Sequence, residues 1–216
     1  MSASLRPTLL VAAPLAIEAF AVRVAVPGLR VVRTGMGPRR SERSAARLAT
    51  EPAGAFAVAG VCGALRDDCE PGDLIVASAL LGPAGERIEV DASALASALA
   101  SAGLPVHEGV IASIARLADG YPRADLARTG ACAVDMESFW LARAAAGRPF
   151  AVLRVVTDGP RHELWRPGIV PRGIKALRRL RAAAPVLVAW AATASAAPAP
   201  ASVVPSSVTA LRCALA

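Results

Sequence analysis

Residues 133 to 140 read Ala-Val-Asp-Met-Glu-Ser-Phe-Trp, and residues 150 to 160 read Phe-Ala-Val-Leu-Arg-Val-Val-Thr-Asp-Gly-Pro. In the first stretch the small apolar run Gly130 to Val134 reads as a strand. Ser138 to Ala146 then carries Ala, Leu and Arg at helical spacing until Gly147 stops it. Asp135 and Glu137 are thus expected at a strand-to-helix corner. In the second stretch a buried strand ends in Thr157-Asp158, again with a carboxylate at its carboxyl end. Ligands of α/β sheets bind outside the carboxyl ends of the strands, so acids there can reach them. A carboxylate accepts hydrogen bonds from sugar hydroxyls, and a carboxylic acid hands a proton to a leaving group. The same residues also suit purely local tasks. Asp135 fits a helix cap, and Glu137 favours the helix dipole by about 0.3–1 kcal/mol. Asp158 fits a turn before Gly159-Pro160.

The elements that must position these acids alternate along the chain. Leu9 to Ala13 reads as a strand and Ile17 to Val24 as a helix with Glu18 on its opening turn. Leu29 to Arg33 reads as a strand, Gly35-Met36-Gly37 as a tight corner, and Pro38 to Ala49 as a helix with proline at the favoured first position. Ala55 to Ala59 reads as a buried strand ending at a glycine corner, Gly60-Val61-Cys62-Gly63-Ala64-Leu65. A further strand, Leu74 to Ser78, is entered through Pro71-Gly72-Asp73. A helix over Ser93 to Ala102 and a strand near Gly109 to Ser113 follow. This alternation predicts a single α/β domain with a largely parallel sheet and helices on both faces.

At 216 residues the chain suits one domain, and its 55% hydrophobic content is mostly Ala, Val and Leu, which predicts a core of small side chains. The net charge of +7 does not predict nucleic-acid binding. Lys175 is the only lysine, and the arginines are scattered rather than interleaved with aromatics. The local concentration Lys175 to Arg181 reads as a helix with Leu177 and Leu180 inward and the cations in solvent, anionic lipid being the alternative occupant of that face. Cys62, Cys69, Cys132 and Cys213, with His107 and His162, show no metal-ligand spacing, so no metal is expected; free thiols fit a reducing cytoplasm. Leu9 to Ala13 is too short for a signal peptide, and Pro185 with its weakly hydrophobic alanines argues against a span over Ala182 to Ala197. From about Thr193 the composition turns to Ala, Pro, Ser and Val, which reads as a tail of 193–216 outside a domain of 1–192.

Taken together, Thr34-Gly35-Met36-Gly37, Gly60-Val61-Cys62-Gly63-Ala64-Leu65, Pro71-Gly72-Asp73, Asp135-Met136-Glu137-Ser138 and Thr157-Asp158 resemble the superfamily of purine nucleoside phosphorylases and methylthioadenosine/adenosylhomocysteine nucleosidases, from about Leu9 to about Trp190. Thr-Gly-Met-Gly-Pro, Cys-Gly-Ala-Leu and Val-Asp-Met-Glu-Ser look most like its member associated with bacterial hopanoid biosynthesis. The resemblance implies a three-layer sandwich with a mostly parallel mixed central sheet. It implies cleavage of the bond between ribose C1′ and a purine by phosphorolysis, with adenosylhopane as substrate and adenine released; hydrolysis by water is the alternative. Glu137 would hold the ribose 2′-hydroxyl, Met136 would pack on the sugar, and Asp135 would stand beside it. Asp158 would give a proton to purine N7, and Glu18 matches the acid that orients attacking water in the nucleosidases. Gly35, Gly37, Cys62 and Gly63 would line the substrate. Phe139, Trp140 and Trp165 would offer an apolar mouth to a lipid tail. A homo-oligomer is implied, with no cofactor.

The chain departs from the phosphorylases at the phosphate loop. Where they carry Arg and Ser, Ala57, Val58 and Val61 stand here. Inorganic phosphate as co-substrate would need other arginines, the candidates being Arg39, Arg40 and Arg43; otherwise water attacks, or the pocket binds a nucleoside without cleaving it. Dinucleotide binding is rejected, because Arg40 stands where a third fingerprint glycine belongs.

Overall fold

The computed structural model describes residues 9–116, 120–160 and 169–196. The elements run β1 (Leu9–Ala13), α1 (Ala16–Ala25), β2 (Arg30–Arg33), α2 (Pro38–Leu48), β3 (Ala55–Ala64), β4 (Leu74–Leu81), β5 (Arg87–Glu89), α3 (Ser93–Ser101), β6 (Val106–Ser113), α4 (Gly120–Arg128), β7 (Ala133–Asp135), α5 (Ser138–Leu141), β8 (Phe150–Asp158) and α6 (Ile169–Ala196).

Alternation along the strands builds two cores. Leu9, Val11 and Ala13 of β1 point to one face with α1, α3 and α6, through Val22, Leu99, Leu180 and Leu187. Leu10 and Ala12 point to the other, against Ala45 and Leu48 of α2 and Leu141 of α5. Each apolar strand is therefore covered on both sides, giving a single α/β domain of helix, sheet and helix layers. Small residues dominate both cores, as the composition predicts.

Five strand pairings are parallel (β1 with β2 and β3, β3 with β8, β4 with β6, β6 with β7) and three are antiparallel (β3 with β7, β4 with β5 and β8). The strand path β2-β1-β3-β7-β6-β4-β5, with β8 bridging β3 and β4, closes a ring of five strands. Residues 60–65 correct the expectation of a corner: β3 runs through Gly60 and Gly63 to Ala64. Its first part pairs with β1 and β8, while Gly63 and Ala64 pair with β7. The glycines are there for space, as shown below, rather than to turn the chain.

Other boundaries also move. The expected helix after Ser138 is one α turn continued by a 3-10 turn over Ala142–Ala145, ending with Ala146 at φ 47°. Gly130 closes α4 instead of opening a strand, its N–H donating to the Ala127 carbonyl. α6 continues to Ala196 through Pro185, so Thr193 belongs to the helix; residues 197–216 lie outside the described residues. Leu180 is buried and Leu177 packs on the same core, which leaves Lys175, Arg178 and Arg181 outward. No helix among the described residues is long and apolar enough to cross a membrane.

Candidate active site

Arg154 organises the first half of the site. It lies in the middle of β8 with 0% exposure, opposite Gly60 in the parallel β3–β8 register. A side chain at Gly60 would bring a Cβ to 2.6 Å from Arg154 Nη1 and 2.7 Å from Glu18 Oε1, so the missing side chain is what lets a guanidinium and a carboxylate sit beside the strand. Arg154 Nη2 lies 2.7 Å from Asp135 Oδ2 and 3.5 Å from Glu137 Oε2. Its Nε and Nη2 also donate to Ser138 Oγ, at 3.2 and 3.0 Å. Burial works against the charge, but Asp135, Glu137 and Glu18 outweigh it and hold Arg154 firmly protonated.

The three acids around it are fixed by backbone. Glu18, on the first turn of α1, accepts the Leu15 N–H at 2.6 Å and the Val61 N–H at 2.8 Å. Glu137 Oε1 accepts the N–H of Gly37 at 3.0 Å, which ties the Gly35-Met36-Gly37 corner to the strand-helix corner. Gly35 and Gly37 have φ of 83° and 85°, so the corner needs glycine at both. Asp135, the last residue of β7, accepts the N–H groups of Glu137 and Ser138 and the Ser113 hydroxyl at 2.6 Å. It does the capping work its position predicts while also pairing with Arg154. Burial raises the carboxyl of Glu18 above its ordinary value, against the pull of Arg154 and the two N–H groups. It raises that of Glu137 as well, again opposed by Arg154.

The second half is simpler. A bulge between Cys62 and Gly63 in the β3–β8 register inserts an extra residue before Asp158 and re-aims its side chain. Asp158 Oδ1 accepts the Thr157 hydroxyl at 2.9 Å, and Oδ2 is 2.5 Å from Nη2 of Arg123, a residue of α4. Arg123 Nη1 donates to the Ala64 carbonyl at 2.8 Å. Gly63 makes room here too, because a Cβ would stand 2.9 Å from Arg123 Nη2 and 3.1 Å from Asp158 Oδ2.

Both halves face one cavity of ≈ 220 Å³, lined by Glu18, Asp135, Glu137, Asp158 and Arg123 and walled by Pro14, Leu15, Met36, Ile114, Val134 and Met136. Cys62 and Gly63 also line it. Burial pushes the Cys62 thiol well up, so it is a packing group rather than a nucleophile. The structure thus brings Glu18, Asp135, Met136, Glu137 and Asp158 together across about 140 residues by direct count along the chain.

Several expected residues lie elsewhere. Arg39, Arg40 and Arg43 are exposed on α2, whose inward residues are Ser41, Ala45 and Leu48, and none lines the cavity. The Arg40 stem covers Gly35 instead. Phe139 packs in the second core and Trp140 is buried against it, ring centroids 6.0 Å apart and edge to face, so neither forms the mouth. The apolar rim is Pro14, Leu15, Ile114 and the half-exposed Met36. Trp165 and His162 lie outside the described residues. Arg154 and Arg123 are not among the residues that the motifs single out. For Arg154 a signal exists, an arginine inside an otherwise apolar strand, since a buried charge needs partners. Arg123 offers no such signal.

Comparison with known proteins agrees with this architecture. The family described as the phosphorylase superfamily matches residues 16–168. The chain belongs to that superfamily. No curated protein matches the chain by sequence. Among solved structures, the chain is similar to the 5′-methylthioadenosine/S-adenosylhomocysteine nucleosidase of Campylobacter jejuni, with a TM-score of 0.72 and 16% identity, over 86% of this chain and 98% of the other. It is similar to an S-adenosylhomocysteine nucleosidase of Streptococcus pyogenes, with a TM-score of 0.68 and 19% identity, over 84% and 98%. Futalosine hydrolase of Helicobacter pylori gives a TM-score of 0.68 and 18% identity, over 83% and 94%. These likenesses establish the fold of this superfamily member.

Proposed function

We propose that the chain cleaves the N-ribosidic bond of a purine nucleoside, with water as the attacking group. The observation that carries this reading is the placement of two acidic centres in one cavity, Glu18 with Glu137 at one end and Asp158 at the other. As the C1′–N9 bond breaks, its electron pair goes to the base and positive charge gathers on the ribose. Asp158, ion-paired with Arg123 in the free chain, takes up a proton from solvent and passes it to N7. Glu137 accepts a hydrogen bond from the 2′-hydroxyl, and Met136 packs on the sugar. Water adds to C1′ and gives up its proton to Glu18, whose raised carboxyl value suits a base of ordinary pH. The products are the free base and ribose or its 5′ derivative.

Water is preferred to phosphate on electrostatic grounds. The wall near Glu18 and Glu137 is acidic, and among the described residues the cation beside it, Arg154, is already surrounded by Asp135, Glu137 and Ser138. A phosphate dianion there would face carboxylates without a free cation among the described side chains. Phosphorolysis is the second reading. It rests on the sequence resemblance to the hopanoid-associated phosphorylase, which also makes the substrate an adenosine derivative such as adenosylhopane. The apolar rim of Pro14, Leu15, Met36 and Ile114 supports an apolar 5′ group. A homo-oligomer completes the proposal by the same resemblance.

Adenosine-type nucleosides incubated with and without phosphate, with free adenine and the sugar product measured, test both readings. Adenine and free sugar without phosphate are expected; a strict need for phosphate, with ribose 1-phosphate formed, replaces water by phosphate. Asp158→Asn should lower purine release by roughly 10²–10⁴-fold while sparing a nitrophenyl riboside, whose leaving group departs without an acid. Equal loss on both, with lower stability, would make Asp158 a turn residue.

A further inference from the structure

We propose that the outer face of α1 and of the first half of α6 docks the protein on an anionic lipid surface, with the mouth of the cavity at the edge of the contact. The inference is independent of the reaction proposed above.

Among the described residues, the large apolar side chains that stand well out in solvent are Ile17, Phe20, Val24, Met36, Val170 and Ile174, with Phe20 65% and Val170 69% exposed. They are not scattered. Ile17, Phe20 and Val24 recur at three and four residues, forming one stripe along α1, and Val170 and Ile174 lie one turn apart at the start of α6. The two helices pack against each other and cover the same face of the sheet, so their outward stripes share one surface. They also begin at the same end of the sheet. α1 follows the carboxyl end of β1, and Lys175 of α6 lies over Gly72, whose N–H donates to the Val156 carbonyl near the carboxyl end of β8. Met36 joins this surface to the site: the Gly35 N–H donates to the Pro14 carbonyl beside α1, and Met36 itself lines the cavity. Single exposed apolar residues need no explanation, but a cluster around an opening does.

The charges on this face select its occupant. α6 contains no Asp or Glu, and Glu18, the acid of α1, is buried in the site. Beside Val170 and Ile174 stand the outward Lys175, Arg178 and Arg181. At about 100° per residue, Val170, Ile174, Arg178 and Arg181 fall within roughly 80° of one another. Apolar side chains flanked by cations are complementary to acyl chains beneath anionic head groups, where the apolar residues enter by about 5–10 Å and the cations meet phosphate. A second copy of the chain fits less well. A two-fold contact through this face sets the same cations against one another, with no exposed acid on either helix to pair with them. Docked on lipid, the cavity opens toward the bilayer, and an apolar group on a substrate reaches it past Met36 and Leu15.

The test is flotation of the full-length protein with vesicles of phosphatidylcholine alone and of phosphatidylcholine mixed with phosphatidylglycerol. It is run in low salt and in about 1 M salt, where the screening length falls to about 3 Å. Three double variants of exposed residues are compared with wild type, each checked for an unchanged melting transition. They are Phe20→Ser with Ile174→Ser, Arg178→Glu with Arg181→Glu, and Arg43→Glu with Arg47→Glu on α2, which covers the opposite face of the sheet. Wild type is expected to bind the mixed vesicles and to lose most of that binding in high salt or on phosphatidylcholine alone. The first two variants should each lower the partition coefficient by roughly tenfold or more. The α2 variant, with the same change in net charge, should lower it by less than about threefold. Absence of binding to the mixed vesicles would overturn the proposal, as would binding that Phe20→Ser with Ile174→Ser leaves intact. Equal losses from the α2 and α6 reversals would reduce the attraction to net charge and overturn it as well. A wild-type dimer in light scattering that Phe20→Ser with Ile174→Ser converts to monomer would make the face a subunit contact instead.

Discussion

The two ends of the cavity are built in opposite ways. At one end, Asp135, Glu137 and Glu18 surround an arginine with no exposed surface, and each acid also accepts backbone N–H groups from a strand, a helix turn or a corner. At the other, a carboxylate meets a guanidinium on a nine-residue helix, with the Thr157 hydroxyl and the Ala64 carbonyl among the supporting groups. Charges inside a core persist only when every partner is present, because each unpaired ion there is costly. A pair at the edge of the core tolerates exchange of partners. Under the proposed function the acidic end would hold a sugar in one geometry, and the Asp158 end would change its bonding as a base departs.

Removing Arg154 should break this contrast most severely. Arg154→Met leaves three buried acids without their common cation, and a loss of about 3–5 kcal/mol is expected in denaturant unfolding. A loss no larger than that of Arg123→Met would show that the two ends are not built differently. Glu137→Gln should act on chemistry rather than folding. The amide keeps an acceptor for the Gly37 N–H, but the charged hydrogen bond proposed to the sugar is lost, which should raise the barrier by about 2–4 kcal/mol with little change in melting temperature. Near-normal turnover would remove Glu137 from the site.

A smaller effect separates Glu18 from an ordinary helix-start acid. Its carboxyl is raised from 4.5 chiefly by burial, so the folded chain keeps this proton to higher pH than the unfolded one. The associated stability is complete below the unfolded value and is lost as pH rises through the folded value. A glutamine side chain does not titrate, so the melting temperature of Glu18→Gln relative to wild type should climb as pH rises above the ordinary carboxylate range. A flat difference would mean that burial does not govern Glu18. The smallest effect is expected outside both ends: truncation after Ala197 should change neither melting temperature nor activity, since the Pro- and Ser-interrupted sequence there offers little periodic apolar surface. A fall of several degrees would show that the segment contributes to the fold.

Much of the site was legible along the chain because strand ends are local events. An apolar run that stops at Asp135 or Asp158 announces both the strand and the acid at its end, and Glu18 follows one turn after Pro14. The alternation of β1, read through the two cores, needed no more than side-chain periodicity. Local pattern misleads where a glycine looks like a turn. Gly60 and Gly63 have the same local appearance as Gly35 and Gly37, yet the latter pair holds a corner at positive φ while the former lies within a strand. What distinguishes them is what stands opposite, Arg154 with Glu18 in one case and Arg123 with Asp158 in the other. Neither neighbour is near in sequence.

Sequence alone determined the layers, the order of most elements, the two acidic corners and, through its motifs, the superfamily, because periodicity and strand-end chemistry act over a few residues. Tertiary structure decided the rest: closure of the strand ring through β8, the burial of Arg154 among three acids, the clamp of Arg123 on Asp158, and the placing of Arg39, Arg40 and Arg43 in solvent. Each depends on which distant segments meet, and in a register that no local pattern encodes. Such meetings are selected by the whole packed core, in which a charge or a missing side chain acquires its meaning only from what lies against it.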